Sequence, residues 1–245
     1  MELTRYSPFM IFILWLACCL QPAFAQTVPE KLVYDLSWAG IKVGTAVQEI
    51  VEEGPERRIT ATARSNAWLS LFLPVDDRVE STLLKAPGAF PGNTRHYRMR
   101  IREGRHRRDR EILFDPARGT ARYVDHLSGE TVEIPISANT YDIYGSFYHV
   151  RYVALEVGKT IHVTVLDDKE PDDIEVKVLK KEKIHSILGE INTIVIKPLV
   201  KQKGVFAGKG SVLIWLTDDS RRIPVQVQTK VRVGSVTATL VGGNY

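Results

Sequence analysis

At 245 residues, with 44% hydrophobic and 25% charged side chains, the chain can bury a full core, and an all-β chain of roughly 200 to 250 residues is by default one domain. Its formal charge of +4, from 33 Lys and Arg against 29 Asp and Glu, is too small to point to nucleic acid. Its 2 cysteines, Cys18 and Cys19, are confined to an N-terminal apolar run, which excludes disulfides, thiolate metal sites and a thiol nucleophile from the remainder.

That run, residues 9–20 (FMIFILWLACCL), follows Arg5 and precedes Ala23-Phe24-Ala25, small residues where a signal peptidase reads. It is too short for a bilayer span of about 20 residues, and Pro22 interrupts it. Residues 1–25 are therefore expected to be a signal peptide cleaved after Ala25, leaving 26–245 as a single periplasmic domain with no transmembrane span. A competing reading makes Cys18 or Cys19 the lipidated N-terminus of a lipoprotein, although neither cysteine has both the leucine and the small residue in the usual places.

From Leu32 onward the pattern is that of short strands. Tyr34, Leu36 and Trp38 alternate with Val33, Asp35 and Ser37, the chain turns at Ala39-Gly40, and it resumes through Val43, Thr45 and Val47, with Gly44 permitting a bulge. Gly54-Pro55 closes this hairpin, and residues 59–65 read as a β-branched third strand. The run NAWLSLFLP packs Trp68, Leu69, Leu71, Phe72 and Leu73 without alternation before Pro74, which predicts a short helical segment at about 66–73 covering one sheet face. Residues 76–84 read as a strand and Ala86-Pro87-Gly88 with Pro91-Gly92 as a loop.

A basic hairpin over 96–114 follows. His96, Arg98, Arg100 and Arg102 share one strand face and Tyr97, Met99 and Ile101 the other, Glu103-Gly104 makes the turn, and Arg105, Arg107, Arg108 and Arg110 return. Short strands are predicted at 122–126 and 131–136. Residues 141–155 then change period: Tyr141, Tyr144, Tyr148 and Tyr152 recur at spacings of three and four, the signature of a helix with one buried face. Beyond it come a strand over 158–166, an acidic loop from Asp167 to Glu175, a strand at Val176 and Val178, another over 191–198, and a break marked by Gly204, Gly208 and Gly210. A meander closes the chain, with Val225, Val227, Thr229, Val231 and Val233 predicted to face inward. The fold class expected is all-β, mainly antiparallel: a curved sheet or open β-barrel-like meander with one inserted helix.

The opening LVYDLSWAGIKVGTA, the ILFDP and DIYGSFYHVR segments, IWLTDDSRRIPVQV and the closing VGSVTATL together resemble the DUF3108 family of exported bacterial proteins. The resemblance covers nearly all of residues 26–245 and implies an antiparallel β envelope protein of Gram-negative bacteria, without an activity. It carries Asp142, Ser146, Tyr148 and Arg151 on the helix and Trp215, Asp219 and Pro224 at the last hairpin.

No chemistry-bearing constellation is convincing. Asp142, Ser146 and His149 can neighbour one another on a helix, but triads draw their members from separate elements and no G-x-S-x-G elbow is present, so capping or core bonding is favoured and no catalytic residue is assigned. The acidic loop lacks the order of a calcium loop and carries Pro171, and the 6 histidines form no paired zinc motif, so no metal or cofactor is expected. Arg98, Arg100, Arg102 and Arg107 are candidates for gripping an anionic group such as a lipopolysaccharide phosphate, against the alternative of a charged edge strand that discourages aggregation. Trp68, Phe72, Tyr144, Phe147, Tyr148 and Trp215 are candidates for an apolar cavity closed by the helix and by the 66–73 segment. The function expected is non-catalytic binding of a lipid or another envelope component; the alternative is an envelope scaffold with a filled core and a protein partner.

Overall fold

The computed structural model describes residues 28–86, 89–199, 211–231 and 233–245. The expected signal peptide and the glycine-marked break at 204–210 lie outside them. The described chain forms β1 (Glu30–Trp38), β2 (Ile41–Glu53), β3 (Glu56–Ser65), α1 (Ala67–Ser70), β4 (Asp76–Ala86), β5 (Ala89–Glu103), β6 (His106–Asp115), β7 (Thr120–Asp125) and β8 (Thr131–Pro135). It continues as α2 (Ile143–Arg151), β9 (Thr160–Leu166), β10 (Pro171–Ser186), β11 (Gly189–Leu199), β12 (Val212–Thr217), β13 (Pro224–Lys230) and β14 (Ser235–Asn244). The strands all belong to one 14-stranded antiparallel sheet in which β1 pairs with β14, and β8 and β9 are the two edges.

Local sequence accounts for the connections. Ala39 and Gly40 both take positive φ, 49° and 83°, which is what a two-residue hairpin turn of the twist-matching kind requires. Where β2 pairs β1 the register slips opposite Leu36 and Ser37, and Gly44 sits there with a virtual Cβ 2.3 Å from the Arg64 carbonyl oxygen of β3, an approach only glycine permits.

The sheet rolls up until its edges approach. Leu166 of β9 packs in one cluster with Tyr97, Phe114 and Tyr123, which lie on β5, β6 and β7. Arg110 on β6 is 3.3 Å from Asp168, and Lys169 Nζ bonds Glu130 beside β8. The roll does not close by strand pairing. The segment before α2 lies in the seam, with the Tyr141 amide donating to the Thr164 oxygen at 2.9 Å and the Leu166 amide to the Tyr141 oxygen at 2.8 Å.

Three sequence readings change here. The helix is shorter than 141–155, because Asp142 caps it and Tyr141 is drawn into the bridge to β9. Val233 does not face inward: β13 ends at Lys230, and Val233 sits exposed in the β13–β14 turn. The basic hairpin is no edge strand either, since β5 and β6 are each paired on both sides. No helix among the described residues is long and apolar enough to cross a membrane.

Candidate functional site

The meander puts alternate turns at opposite ends of the roll, and the two ends differ in chemistry. At one end, α2 plugs the interior. Asp142, fully buried, accepts from the Tyr144 and Gly145 amides at 2.9 and 3.1 Å, and its other oxygen accepts from Ser81 Oγ at 2.7 Å and Thr94 Oγ1 at 2.8 Å. One carboxylate thus caps the helix and ties it to β4 and β5. Burial pushes its carboxyl above the ordinary range, against the pull of those same hydrogen bonds. Gly145 permits this closeness: a Cβ there would stand 2.9 Å from Asp142 Oδ2 and 3.0 Å from Thr94 Oγ1.

The last turn of α2 carries a second lock. Arg151, with no exposed surface, forks onto Glu30 at the start of β1, Nη1 to Oε1 at 2.8 Å and Nη2 to Oε2 at 2.7 Å. Its Nε donates to the Arg222 oxygen at 3.0 Å and Nη2 to the Arg221 oxygen at 3.2 Å, so the β12–β13 turn is held too. Tyr148 donates its hydroxyl to Glu30 Oε1 at 2.8 Å, and its ring lies 4.8 Å from the guanidinium. Burial opposes charge on Arg151, but its bonds and its attraction to Glu30 prevail and raise its pKa further. Every side chain of this cluster is spent on another.

Above the plug the interior is empty. A half-enclosed hollow of about 870 Å³ is lined by both halves of the sheet and floored by Ile143, Tyr144, Phe147 and Val150 of α2. The space exists because one stretch of the wall carries small side chains: Ala46, Ala61, Ala63 and Ala238 line it from β2, β3 and β14, while Met99, Val163 and Ile196 line it elsewhere. The sheet is also too wide for its inner side chains to meet across it. At the mouth the lining turns polar, with Asp77, His106, Arg108, Asp167, Lys169 and Glu170.

Of the six apolar candidates, Tyr144 and Phe147 line the hollow. Tyr148 is buried in the Glu30–Arg151 lock. Trp215 alternates with hollow-lining Ile214, packs with Val195, Ile223 and Val225, and donates its indole N–H to Glu182 at 2.7 Å. Trp68 and Phe72 cover no sheet face: α1 buries none of its residues, and both side chains are exposed around the mouth.

The arginines face outward, opposite Tyr97, Met99 and Ile101, which line the hollow as the alternation predicts. Arg98 reaches Asp109 at 2.7 Å and Glu111 at 3.0 Å, and Arg100 reaches Glu80 at 3.3 Å. Cross-strand acids therefore already engage two of the four candidates. Arg107 bonds the Gly104 and His106 carbonyls of its own turn, and Arg102 is exposed beside it. Asp142, Ser146 and His149 do not converge: Ser146 donates to the Ile143 oxygen, and His149 stacks on Tyr141 with ring centroids 4.9 Å apart. Among the described residues no three His, Cys, Asp or Glu side chains are gathered as metal ligands would be.

Sequence reasoning missed the Glu30–Arg151 pair, whose members lie 121 residues apart. It also missed the alanine wall, although Ala46, Ala61, Ala63 and Ala238 stand at inward positions where large aliphatics would be expected.

Residues 33–241 match the family described as "Protein of unknown function (DUF3108)", and the chain belongs to that family. No curated protein matches it significantly. Among solved structures, it is similar to a β-barrel-like protein of the domain of unknown function DUF1849 from Brucella abortus, with a TM-score of 0.58 at 11% identity, covering 89% of this chain and 98% of that one. At that identity the likeness is one of fold.

Proposed function

We propose that this member of the DUF3108 family is an exported, non-catalytic binding protein that holds an apolar ligand of acyl-chain type, tail in the hollow and polar head at the mouth. The observation that carries the reading is the unfilled interior: about 870 Å³ walled by apolar side chains, within the roughly 300 to 1,000 Å³ range of small-molecule sites. The scaffold alternative expected that core to be filled by its own side chains. Charged groups gather at the mouth, where Arg108 and Lys169 stand with Asp77 and Asp167, as an amphiphile with a wet head requires, while the polar side chains deeper in the lining, Gln48, Thr62 and Ser146, are uncharged. The dispersal of Asp142, Ser146 and His149 favours binding over catalysis. The periplasmic location rests on the N-terminal apolar run and Ala23-Phe24-Ala25.

The test is a titration of delipidated, refolded protein with a long-chain fatty acid carrying an environment-sensitive fluorophore. Saturable binding at one ligand per chain is expected in the wild type. Ala238→Phe, which sets a ring into the hollow, should weaken it by about tenfold or more. Absence of saturable binding, or equal affinity in the variant, would overturn the proposal.

A further inference from the structure

The turns around the mouth expose apolar side chains in one arc. The connection from β3 to β4 holds Trp68, Leu71, Phe72 and Leu73, and Leu71 and Phe72 are each 81% exposed. Ile41 and Trp38 are exposed on the adjoining β1–β2 hairpin, and Val233 on the β13–β14 turn. Contacts join these turns. Trp38 Nε1 donates to the Val233 oxygen at 2.8 Å, Trp68 Nε1 to the Lys42 oxygen at 3.2 Å, and Leu73 Cδ1 comes within 2.9 Å of where a Cβ would lie on Gly104. Arg105 and Arg107 follow Gly104 on the β5–β6 turn, and Lys230 ends β13, so exposed cations flank the arc at both extremes.

We propose that this arc docks the protein, mouth down, on an anionic phospholipid bilayer. Three features fit that surface. Both indole N–H groups already have intramolecular partners, so the rings can enter the headgroup boundary without carrying an unpaired donor. The projecting loop is bonded internally as well: Asn66 Oδ1 accepts the Leu69 amide, and the Phe72 and Leu73 amides both reach the Leu69 oxygen. These amides thus carry no unpaired donor toward the headgroup boundary. Cations beside exposed aromatic and aliphatic side chains are the composition that binds anionic lipid interfaces. The arc goes beyond the carrier reading and stands without it; if the hollow does hold an acyl chain, docking lets the chain pass between bilayer and protein without crossing water.

Vesicle flotation of the processed protein, isolated from the cell envelope, tests this, with pure phosphatidylcholine and with phosphatidylcholine–phosphatidylglycerol vesicles. Wild type should float with the anionic vesicles. Leu71→Ser/Phe72→Ser should cut partitioning by about a hundredfold, roughly tenfold per side chain, while both side chains' exposure leaves thermal unfolding unchanged. Arg105→Gln/Arg107→Gln should weaken binding to anionic vesicles alone, with the difference vanishing at high salt. Wild type that does not float, or a serine pair that floats as wild type does, would overturn the proposal. So would a serine pair that turns a dimer into a monomer in sedimentation equilibrium without vesicle binding, since that assigns the arc to a second copy. Ala238→Phe should still float while losing fatty-acid binding; wild type that floats but binds no fatty acid would sink the carrier reading and leave the docking arc standing.

Discussion

The two ends of the rolled sheet spend their residues in opposite ways. Around α2, costly groups are buried and each is answered: the Arg151 guanidinium by Glu30 and two carbonyls, the Asp142 carboxylate by two amides and two hydroxyls. At the mouth, cheap apolar surface is left unanswered, in an alanine-walled hollow and on the turns bearing Trp38, Trp68, Leu71 and Phe72. The contrast separates conspicuous residues from functional ones. A buried arginine on a helix looks like a site, yet its whole environment is internal, whereas an exposed Leu-Phe pair looks like a loop.

Substitutions at the two ends should therefore fail differently. The largest effect is expected for Arg151→Ala, which strands the Glu30 carboxylate and should cost about 3 to 5 kcal/mol in urea unfolding. Pairing it with Glu30→Ala should cost less than the sum of the singles, because the second change removes the stranded charge; strict additivity would deny the coupling. Asp142→Ala removes a cap and two hydroxyl partners at once, for about 2 to 3 kcal/mol. Gly145→Ala reverses the usual rule. Alanine commonly stabilises a helix interior by about 0.5 to 1 kcal/mol, but here the methyl meets a carboxylate fixed by Ser81 and Thr94, and a loss of about 1 to 3 kcal/mol is expected. Leu71→Ser/Phe72→Ser, at the mouth, should shift stability by no more than about 0.5 kcal/mol.

Acid titration sharpens the same contrast. Burial leaves Asp142 above its ordinary 3.8 in the folded protein, so the native state binds more protons than the unfolded chain just above that pH. Its contribution falls as pH rises through that window, and Asp142→Asn should flatten this limb. Glu111, on the outer wall, has the opposite sign. Burial acts to raise it, but hydrogen bonds with His96 and His126 and the Arg98 charge hold it below its ordinary 4.5, so its stabilisation is lost as pH falls through the lowered value. Glu111→Gln should remove that loss, read as a smaller drop in unfolding free energy on acidification.

The strands were legible from the period-two alternation, most fully in Tyr97, Met99 and Ile101, and the plug helix from its tyrosine spacing. What escaped were facts of closure. No local pattern says that Glu30 meets Arg151, because a 14-stranded meander brings its first strand and its plug together only after rolling up. A dense apolar run resembles core, which makes Trp68 and Phe72 look like cavity lining; only the fold reveals that no sheet face lies beneath them. The hollow did leave a mark, in inward alanines on neighbouring strands, but an alanine facing a bulky neighbour across a packed core writes the same letter. The arginine row was visible at once, whereas Glu80, Asp109 and Glu111, which engage part of it, are recognisable as partners only from the strand register.

Native mass spectrometry of the protein isolated from a cell-envelope fraction tests the central claim most directly. The predicted spectrum shows one amphiphile per chain, retained under gentle activation, absent from Ala238→Phe and identifiable as lipid after extraction. A wild-type spectrum of bare polypeptide alone, from material purified without detergent or denaturant, would contradict it.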